Sequence, residues 1–294
     1  MMAAGGIPPK LQDSDSPFEA IVNHSSSTVA GGKSAKNYPE PGKISEDQGR
    51  VMSAAESINW DERLLRAVNF SGQISEAFRV LRSKILMPLD GRQAPKTIMV
   101  TSVLPKEGKT FVTANLGIAL AQCVDQYSLL VDCDLRLPSL AKLLGVPDDR
   151  GLSDYLRNKA ELADLIRKTS MEKLSIIASG IPPANPAELL GSARMHGLVG
   201  ELSSRYPDRF VIFDSPPLQV ASESMVLAQV VDGVVLVVRY GVSTRSLVEK
   251  AIEEIGKQKI IGMIFNGHKE NFIISRFINK NYLYYEDYYR GKKK

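Results

Sequence analysis

Residues 97–122 join an apolar run to a short glycine-containing loop and then to a helical pattern, and this order constrains the fold more than any other segment. The run TIMVTSV leads into LPKEGKT and then into FVTANLGIALAQ. In loops of this kind, backbone N–H groups and the positive end of a helix bind phosphate oxygens, and a lysine adds a mobile charge. We therefore predict a site for a nucleoside triphosphate. Its predicted binding residues are Pro105, Lys106, Glu107, Gly108, Lys109, Thr110 and Phe111.

The loop departs from the usual spacing Gly-x-x-x-x-Gly-Lys-Ser/Thr, because Val103 stands where the first glycine is expected. Only Gly108, Lys109 and Thr110 fit strictly. A Gly-Lys-Thr tripeptide alone also occurs in surface turns, but a strand, a loop and a helix in this order favour the phosphate-binding interpretation.

Two further apolar runs end in carboxylates. YSLLVDCDLRLP places Asp132 and Asp134 after one run, and RFVIFDSPP places Asp214 after another. In an open parallel sheet, ligands bind beyond the carboxyl ends of the strands, so these groups should meet the phosphate loop. Mg²⁺ that bridges two phosphates needs hard oxygen ligands, for which we predict Thr110, Asp132 and Asp214. The alternative is that strand-end aspartates only cap loops. That interpretation would suit a single aspartate, but three of them beside a phosphate loop favour the Mg²⁺ site.

Strands and helices alternate through the middle of the chain. Near-continuous apolar runs such as GVVLVV suit strands that are covered on both faces. We predict an α/β fold, a three-layer P-loop NTPase domain with a mainly parallel sheet. Strands are predicted near 97–103, 127–132, 174–178, 209–214, 233–239 and 260–266. Helices are predicted near 109–124, 138–144, 160–168, 192–205, 220–230 and 243–257. One more is predicted to begin near Ser75, whose hydroxyl can cap it, and to carry an apolar stripe of Ile74, Phe78, Leu81 and Ile85.

Composition separates the two ends of the chain from this domain. Residues 1–57 are rich in Ser, Gly, Pro, Ala and Lys without periodicity, which predicts a disordered arm. The remaining length allows one domain, residues 58–270, before a flexible tail, residues 271–294. The start of the sequence has no secretory signal pattern, and no apolar stretch approaches the roughly 20 residues that span a bilayer, so we expect a cytoplasmic chain.

The tail concentrates tyrosine and positive charge. Its five tyrosines are Tyr282, Tyr284, Tyr285, Tyr288 and Tyr289. Their irregular spacing puts no single face of a helix or strand in contact with all five rings. An aromatic docking patch is one interpretation, and behind a nucleotide-binding domain the tail also resembles a phosphate acceptor. Residues 276–294 carry six cationic and two acidic side chains, which accounts for the whole formal net charge of +4. A net charge this small does not indicate nucleic-acid binding, and we expect no nucleic-acid partner.

Taken together, PKEGKT, LLVDCDLRLP and VIFDSPP resemble the Walker A, Walker A′ and Walker B motifs of the bacterial tyrosine kinases, the BY-kinase family associated with capsule and exopolysaccharide production. The tyrosine cluster resembles the feature that separates that family from its relatives. EAFRVLR, with Glu76, Arg79 and Arg82, is similar to the family's assembly motif, GIPPANPAELL to its proline-rich loop, and GMIFN, ending in Asn266, to one of its strands. The resemblance covers about residues 70–294. Lys106 departs from it, because the family commonly has glycine there.

This resemblance implies an ATP- and Mg²⁺-dependent protein-tyrosine autokinase in which one copy of the chain phosphorylates the tail of another copy. It also implies that the kinase regulates the polymerisation and export of exopolysaccharide or capsule. A free tyrosine has a pKa near 10 and is almost wholly protonated at neutral pH, so a base helps the transfer. Asp132 is the first candidate for that base. The resemblance assigns Asp134 to orienting Mg²⁺ or the acceptor, Asp214 to Mg²⁺, and Lys109 to the charge on the transferred group. Asn266 either contacts the nucleotide base or simply ends its strand.

The resemblance also implies partners. They are other copies of the chain in a ring, a membrane-bound co-polymerase or activator that holds the chain at the inner membrane, and a cognate tyrosine phosphatase. Glu76, Arg79 and Arg82 would build the contact between copies; their alternative is an exposed helix face with an i,i+3 ion pair. The alternative for the whole chain is a non-kinase ATPase switch of the septum-positioning or plasmid-partition type, although those ATPases have lysine where this chain has Leu104. A silent nucleotide-binding module is a third interpretation.

Overall fold

The computed structural model describes residues 59–69, 73–88, 91–205 and 208–267. The predicted arm, residues 1–57, and the predicted tail, residues 271–294, lie outside the described residues. The predicted boundaries of the central domain therefore stay predictions.

The described strands form one seven-stranded sheet. They are β1 (Thr97–Ser102), β2 (Tyr127–Asp132), β3 (Ile166–Lys168), β4 (Leu174–Ile177), β5 (Arg209–Asp214), β6 (Gly233–Arg239) and β7 (Ile260–Asn266). Their order across the sheet is β3-β4-β2-β5-β1-β6-β7. Neighbouring strands run parallel except for β3 and β4, which pair antiparallel. The prediction of a mainly parallel sheet is confirmed.

Helices flank this sheet. Those within the described residues are α1 (Glu62–Asn69), α2 (Gln73–Leu86), α3 (Lys109–Ala121), α4 (Leu140–Leu143), α5 (Leu152–Leu156), α6 (Leu162–Leu165), α7 (Pro186–Leu190), α8 (Ala193–Arg205), α9 (Glu223–Val230) and α10 (Arg245–Ile255), with a 3₁₀ turn at Lys257–Lys259. None of these helices is long and apolar enough to cross a membrane.

Alternation of side chains along the strands gives the sheet two apolar faces. Ile98 and Val100 of β1 pack in one core with α3 residues such as Leu116. Met99, which lies between them, packs in a second core with α8 residues such as Leu198. Both faces of the sheet are therefore covered, which explains why its strands are apolar almost throughout. The predicted three-layer arrangement is confirmed.

Several short elements were not predicted. Helices α1 and α5 are absent from the predictions. The helix predicted over 160–168 is too long, because α6 spans only Leu162–Leu165 and the next three residues form β3. Strand β3 pairs with β4, for example Ile166 with Ile177, so a tertiary contact rather than the local pattern decides its structure. The other six strands lie within one residue of their predicted limits.

Helix α2 starts near Ser75 as predicted, but the predicted cap is wrong. The helix begins two residues before Ser75, which therefore lies inside the first turn and does not cap it. Of the predicted apolar stripe, Ile74 is 51% exposed, whereas Ile85 is buried and Phe78 and Leu81 pack against the same core. The helix thus contacts the domain from its second turn onward.

Candidate active site

The register of the sheet brings the predicted carboxylates together. Asp132 at the end of β2 pairs with Asp214 at the end of β5, and Asp214 also pairs with Val100 of β1, the strand that precedes the phosphate loop. Because these strands are parallel, their carboxyl ends lie at one edge of the sheet. The loop and the three acidic residues therefore meet where the sequence predicts.

A cavity of about 560 Å³ opens at this edge. Its wall is formed by the phosphate loop, the segment after β2, the start of α4, the turn after β5, and Asp61 and Arg63 beside the start of α1. The predicted site residues in its lining are Pro105, Lys106, Gly108, Lys109, Thr110, Phe111 and Asp134. Among the described site residues, Glu107, Asp132, Asp214 and Asn266 lie outside that lining.

Gly108 makes the sharp turn that leads from the loop into α3. Its φ is 95°, in the left-handed region that favours glycine. A Cβ atom at this position would collide with the side-chain amide of Asn266. That amide donates from Nδ2 to the carbonyl oxygen of Glu107 at 2.7 Å. Asn266 therefore supports the phosphate loop from the end of β7.

The Glu107 side chain is fully buried and ties the loop to the end of β6. Its Oε2 atom accepts the backbone N–H of Leu104 at 2.8 Å. Its Oε1 atom accepts the N–H of Arg239 at 3.0 Å and the hydroxyl of Ser243 at 2.8 Å. The sequence prediction gave Glu107 only a nucleotide-binding role and missed this one. The sequence did contain a sign of this structural role. A carboxylate that faced the cavity of an anion-binding loop would repel phosphate, so the Glu107 side chain could be expected to point away from the cavity.

The loop departs from the expected pattern at Val103 and at Lys106, and these two residues have different surroundings. Val103 is fully buried in an apolar cluster with α10, so its side chain belongs to the core. Lys106 has a φ of 64°, a conformation that costs a residue with a Cβ atom about 1–2 kcal/mol. The Lys106 carbonyl accepts a hydrogen bond from Nη1 of Arg239 at 3.0 Å, which helps to hold this turn.

Lys109 begins α3 and forms an ion pair inside the cavity wall. Its Nζ atom lies 2.7 Å from Oδ2 of Asp134, and both side chains are largely buried. Burial opposes the lysine charge, but the nearby carboxylates of Asp214 and Asp134 outweigh it and raise the pKa of Lys109. Lys109 is therefore a cation at neutral pH, next to a helix N-terminus that also favours anions.

Asp132 is fully buried and is bound by backbone donors. Its Oδ1 atom accepts the N–H of Asp134 at 3.1 Å, and its Oδ2 atom accepts the N–H groups of Ser139 at 3.3 Å and Leu140 at 3.1 Å. Burial, and then the charge of Asp214, raise the pKa of Asp132 well above its ordinary value. Asp132 thus holds the segment between β2 and α4, whereas Asp134 reaches the cavity.

Asp214 is also fully buried, and only one of its oxygens is satisfied by the described residues. Oδ1 accepts the hydroxyl of Thr113 at 3.1 Å, while Oδ2 has no hydrogen-bond partner there. Burial raises the pKa of Asp214, although the Lys109 charge and the nearby Thr110 hydroxyl oppose the shift. A buried carboxylate oxygen without a partner, close to a threonine hydroxyl, is a donor set that suits Mg²⁺.

Two charged pairs in or beside the cavity wall were not predicted. Arg63 donates from its backbone N–H and its Nε atom to Asp61, and these bonds lower the pKa of Asp61 to about 2. Arg136, in the segment after β2, is paired with the buried Glu223 of α9. The 87 residues that separate this second pair explain why no local pattern indicated it.

The predicted assembly residues divide into two groups. Glu76 and Arg79 form an exposed i,i+3 ion pair at 3.3 Å, which contributes little to stability. Arg82 donates from Nη1 to the carbonyl oxygen of Ala119 at 2.9 Å and so joins α2 to the last turn of α3. The five tail tyrosines lie outside the described residues.

Known proteins resemble this chain in sequence and in structure. The family model described as the CobQ/CobB/MinD/ParA nucleotide-binding domain matches residues 98–283. The chain is 36% identical over 197 residues to the tyrosine-protein kinase YwqD of Bacillus subtilis (strain 168), a match that covers 66% of this chain and 81% of that protein. It is 33% identical over 233 residues to the tyrosine-protein kinase wzc of Salmonella typhimurium, covering 79% of this chain and 31% of that protein. The crystal structure of the chimerical protein CapA2B2 has a TM-score of 0.64 at 31% identity, covering 72% of this chain and 92% of that one.

Proposed function

The chain belongs to the CobQ/CobB/MinD/ParA nucleotide-binding family and, within it, to the tyrosine-protein kinases of bacteria, and we propose on this basis that it transfers the γ-phosphoryl group of ATP to tyrosine hydroxyls. One structural observation carries the proposal: Lys109 and Asp134 are paired in the cavity wall, and Asp132 and Asp214 lie directly behind them at the strand ends. A phosphate loop alone would suit many nucleotide-dependent proteins. Among these nucleotide-dependent activities, the similarity to tyrosine-protein kinases favours phosphoryl transfer to tyrosine.

The phosphate loop and the start of α3 bind the ATP phosphates in this proposal. Lys109, oriented by Asp134, offsets the negative charge on the transferred group. Mg²⁺, when bound, would offset the negative charge of the ATP phosphates. Thr110, Asp132 and Asp214 are the residues proposed to hold it directly or through water. This assignment is supported by the Oδ2 atom of Asp214, which has no hydrogen-bond partner among the described residues. Asn266 is proposed to act on the nucleotide through the loop that it supports.

The transfer forms a bond between the phenolic oxygen of tyrosine and the γ-phosphorus, and it breaks the bond between that phosphorus and the β–γ bridging oxygen. The products are phosphotyrosine and ADP, and the phenolic proton must go to a base. Asp132 and Asp134 are the two candidates. The geometry favours Asp134, because its carboxylate lines the cavity while Asp132 is buried behind it. We propose that Asp134 accepts the proton and that Asp132 holds the segment carrying it.

We propose that the acceptors are the five tail tyrosines of a neighbouring copy in a homo-oligomeric ring. Asn266, the last residue of β7, contacts the phosphate loop, so the tail that follows β7 starts close to the active site of the same chain. The length of the tail therefore does not decide whether its tyrosines react in the active site of the same chain or in that of a neighbouring copy. The exposed face of α2 that carries Glu76 and Arg79 supports the neighbour, because charged side chains there are available for a contact between copies. Arg82 would contribute by holding α2 on the domain.

The proposed setting is the cytoplasmic side of the inner membrane, where the chain would regulate exopolysaccharide or capsule polymerisation and export. The alignment with wzc covers 31% of that kinase, so most of its length has no counterpart in the match. We propose that a membrane-bound activator works with this chain. A cognate tyrosine phosphatase would return the tail to its unmodified state.

Mixing two defective chains tests transfer between copies. The donor chain carries Tyr282→Phe, Tyr284→Phe, Tyr285→Phe, Tyr288→Phe and Tyr289→Phe. The acceptor chain carries Lys109→Met and keeps its tyrosines. With ATP and Mg²⁺, we expect neither chain to gain phosphate alone, and we expect the acceptor chain to gain it in the mixture, as read by intact-mass spectrometry. Phosphate on the wild-type chain but none in the mixture would contradict transfer between copies.

A further inference from the structure

The segment after β2 and the turn after β5 form an apolar and basic wall of the active-site cavity. Leu137 and Val220 both line the cavity, yet their side chains stay 78% and 54% exposed. Pro216 and Pro217 complete this wall. Large apolar side chains that remain exposed beside a binding site are typical of a contact surface for a ligand.

Arg136 lies in the same wall and is held in place by Glu223. Its Nε and Nη2 atoms both lie 3.0 Å from Oε1 of Glu223. Glu223 is 3% exposed, and its other oxygen, Oε2, has no hydrogen-bond partner among the described residues. A buried carboxylate in this situation depends on its single cationic partner, so Glu223 restrains the guanidinium strongly. Among the described residues, Glu223 contacts the Nε and Nη2 atoms of Arg136, which carry only some of its five N–H donors. The side chain is 42% exposed and lines the cavity, so donors are left for a ligand there.

The cavity has an excess of positive charge. Five cationic side chains line it, against the two carboxylates of Asp61 and Asp134. The cations are Arg63, Lys106, Lys109, Arg136 and Lys142. In the proposed function, ATP phosphates would contact the cations at the phosphate loop, whereas Arg136 belongs to the segment after β2 and is next to Leu137 in the chain. A second anionic group, supplied by the acceptor, suits this end of the cavity.

The sequence contains a segment with matching chemistry. Residues 284–289 read YYEDYY, so Glu286 and Asp287 stand between two pairs of tyrosines in a segment whose other charges are positive. A tyrosine from this segment would bring an aromatic ring and a carboxylate together. The ring suits the apolar side chains of the wall, and the carboxylate suits the guanidinium fork of Arg136.

We propose that this wall is the acceptor-selecting surface of the kinase, in which Arg136 binds a carboxylate next to the reacting tyrosine and Leu137 contacts the aromatic ring. Glu223 is then a positioning residue, because it acts only through Arg136. This inference rests on the proposed kinase function and adds a substrate preference to it. The preferred acceptor is a tyrosine with an adjacent acidic residue.

Two synthetic peptides test the preference with the full-length protein. One has the sequence of residues 280–290, KNYLYYEDYYR, and the other is the same peptide with Glu286→Gln and Asp287→Asn. We expect wild-type protein to phosphorylate the acidic peptide with a kcat/KM about tenfold higher than the amide peptide at low salt. Raising the salt concentration should reduce this ratio, since the contact is partly exposed.

Four protein variants separate the roles. Arg136→Gln should bring the ratio between the two peptides close to one, and Arg136→Lys should restore part of it, because lysine keeps the charge without the fork. Glu223→Gln should lower the ratio of kcat/KM between the two peptides, because the uncharged side chain holds Arg136 less firmly. Leu137→Ser, at an exposed site, should raise KM for both peptides about threefold and leave their ratio unchanged. Thermal melting of each variant shows whether it is folded.

Equal use of the two peptides by wild-type protein would overturn the proposal, and so would an Arg136→Gln variant that keeps the preference. Both results leave the kinase function intact, because phosphate is still transferred. If wild-type protein transfers phosphate neither to a peptide nor to its own tail, the kinase function fails and the preference fails with it.

Discussion

Replacing Lys109 by methionine is expected to lower phosphate transfer by about 10³-fold or more. Lys109 is the loop cation that is buried in the cavity wall, and its ammonium group is oriented by Asp134 at 2.7 Å. Its pKa is raised by Asp214 and Asp134 against the effect of burial, so its charge is present at neutral pH. Methionine has a similar length and fills the space, but it offers neither charge nor a hydrogen-bond donor to the transferred group. The rate of ADP formation and the number of phosphates per chain measure the loss.

A matched control is Lys250→Met on α10. Lys250 is exposed and lies near Glu254 at 3.7 Å, away from the cavity lining, so its loss should leave transfer unchanged. Circular dichroism on both variants checks that the fold persists. A Lys109→Met protein that keeps more than about a tenth of the wild-type rate would contradict the assigned role, since that loss is below about 1.4 kcal/mol.

Asp214→Asn is expected to have opposite effects on activity and on stability. Asp214 is proposed to hold Mg²⁺, and its Oδ2 atom is buried without a partner among the described residues. Asparagine can still accept the Thr113 hydroxyl with its Oδ1 atom, but it lacks the negative charge that binds the metal. We expect transfer to fall by about 10³-fold. We also expect the nucleotide-free chain to melt at a higher temperature than wild type at neutral pH, because a buried charge has been removed.

The pH dependence of this stability difference has a defined sign. Burial raises the pKa of Asp214 in the folded chain above the value of 3.8 that applies to an exposed aspartate. A group with a raised folded pKa contributes stability below its unfolded pKa and loses that contribution as the pH rises through the folded pKa. The advantage of Asp214→Asn over wild type should therefore be larger at neutral pH than at a pH near 3.8. Melting curves without nucleotide or Mg²⁺ measure it.

The exposed Asp125→Asn, in the connection between α3 and β2, is the control for this experiment. It should change neither the melting temperature nor the transfer rate. An Asp214→Asn protein that melts lower than wild type at every pH would show that the Asp214 charge stabilises the fold. That result would contradict the account of a carboxylate kept for Mg²⁺ at a cost in stability.

The sequence predicted those parts of the structure that depend on local pattern. Apolar runs located six of the seven strands, and the carboxylates that follow β2 and β5 lie side by side because parallel strands place such positions at one edge. The phosphate loop was recognisable despite Val103. That position is a core position in this fold, so a buried valine takes the place of the usual glycine without moving the loop.

Features that depend on distant contacts could not be predicted. Glu107 binds groups of Arg239 and Ser243, which are 132 and 136 residues away, and a local motif has no information about them. The same holds for Arg82, whose bond to Ala119 spans 37 residues. Likewise, the burial of Asp132 behind Asp134 follows from the turn into α4, whose backbone N–H groups bind its carboxylate.

Intact-mass spectrometry of the wild-type chain with ATP and Mg²⁺ shows directly whether the chain phosphorylates its own tail tyrosines. We expect successive additions of phosphate, up to five per chain, that are absent when all five tail tyrosines are replaced by phenylalanine. ADP formation is measured in the same samples. ATP consumed without any change in the mass of the chain would contradict the kinase assignment, and it would favour an ATPase switch of the septum-positioning or plasmid-partition type.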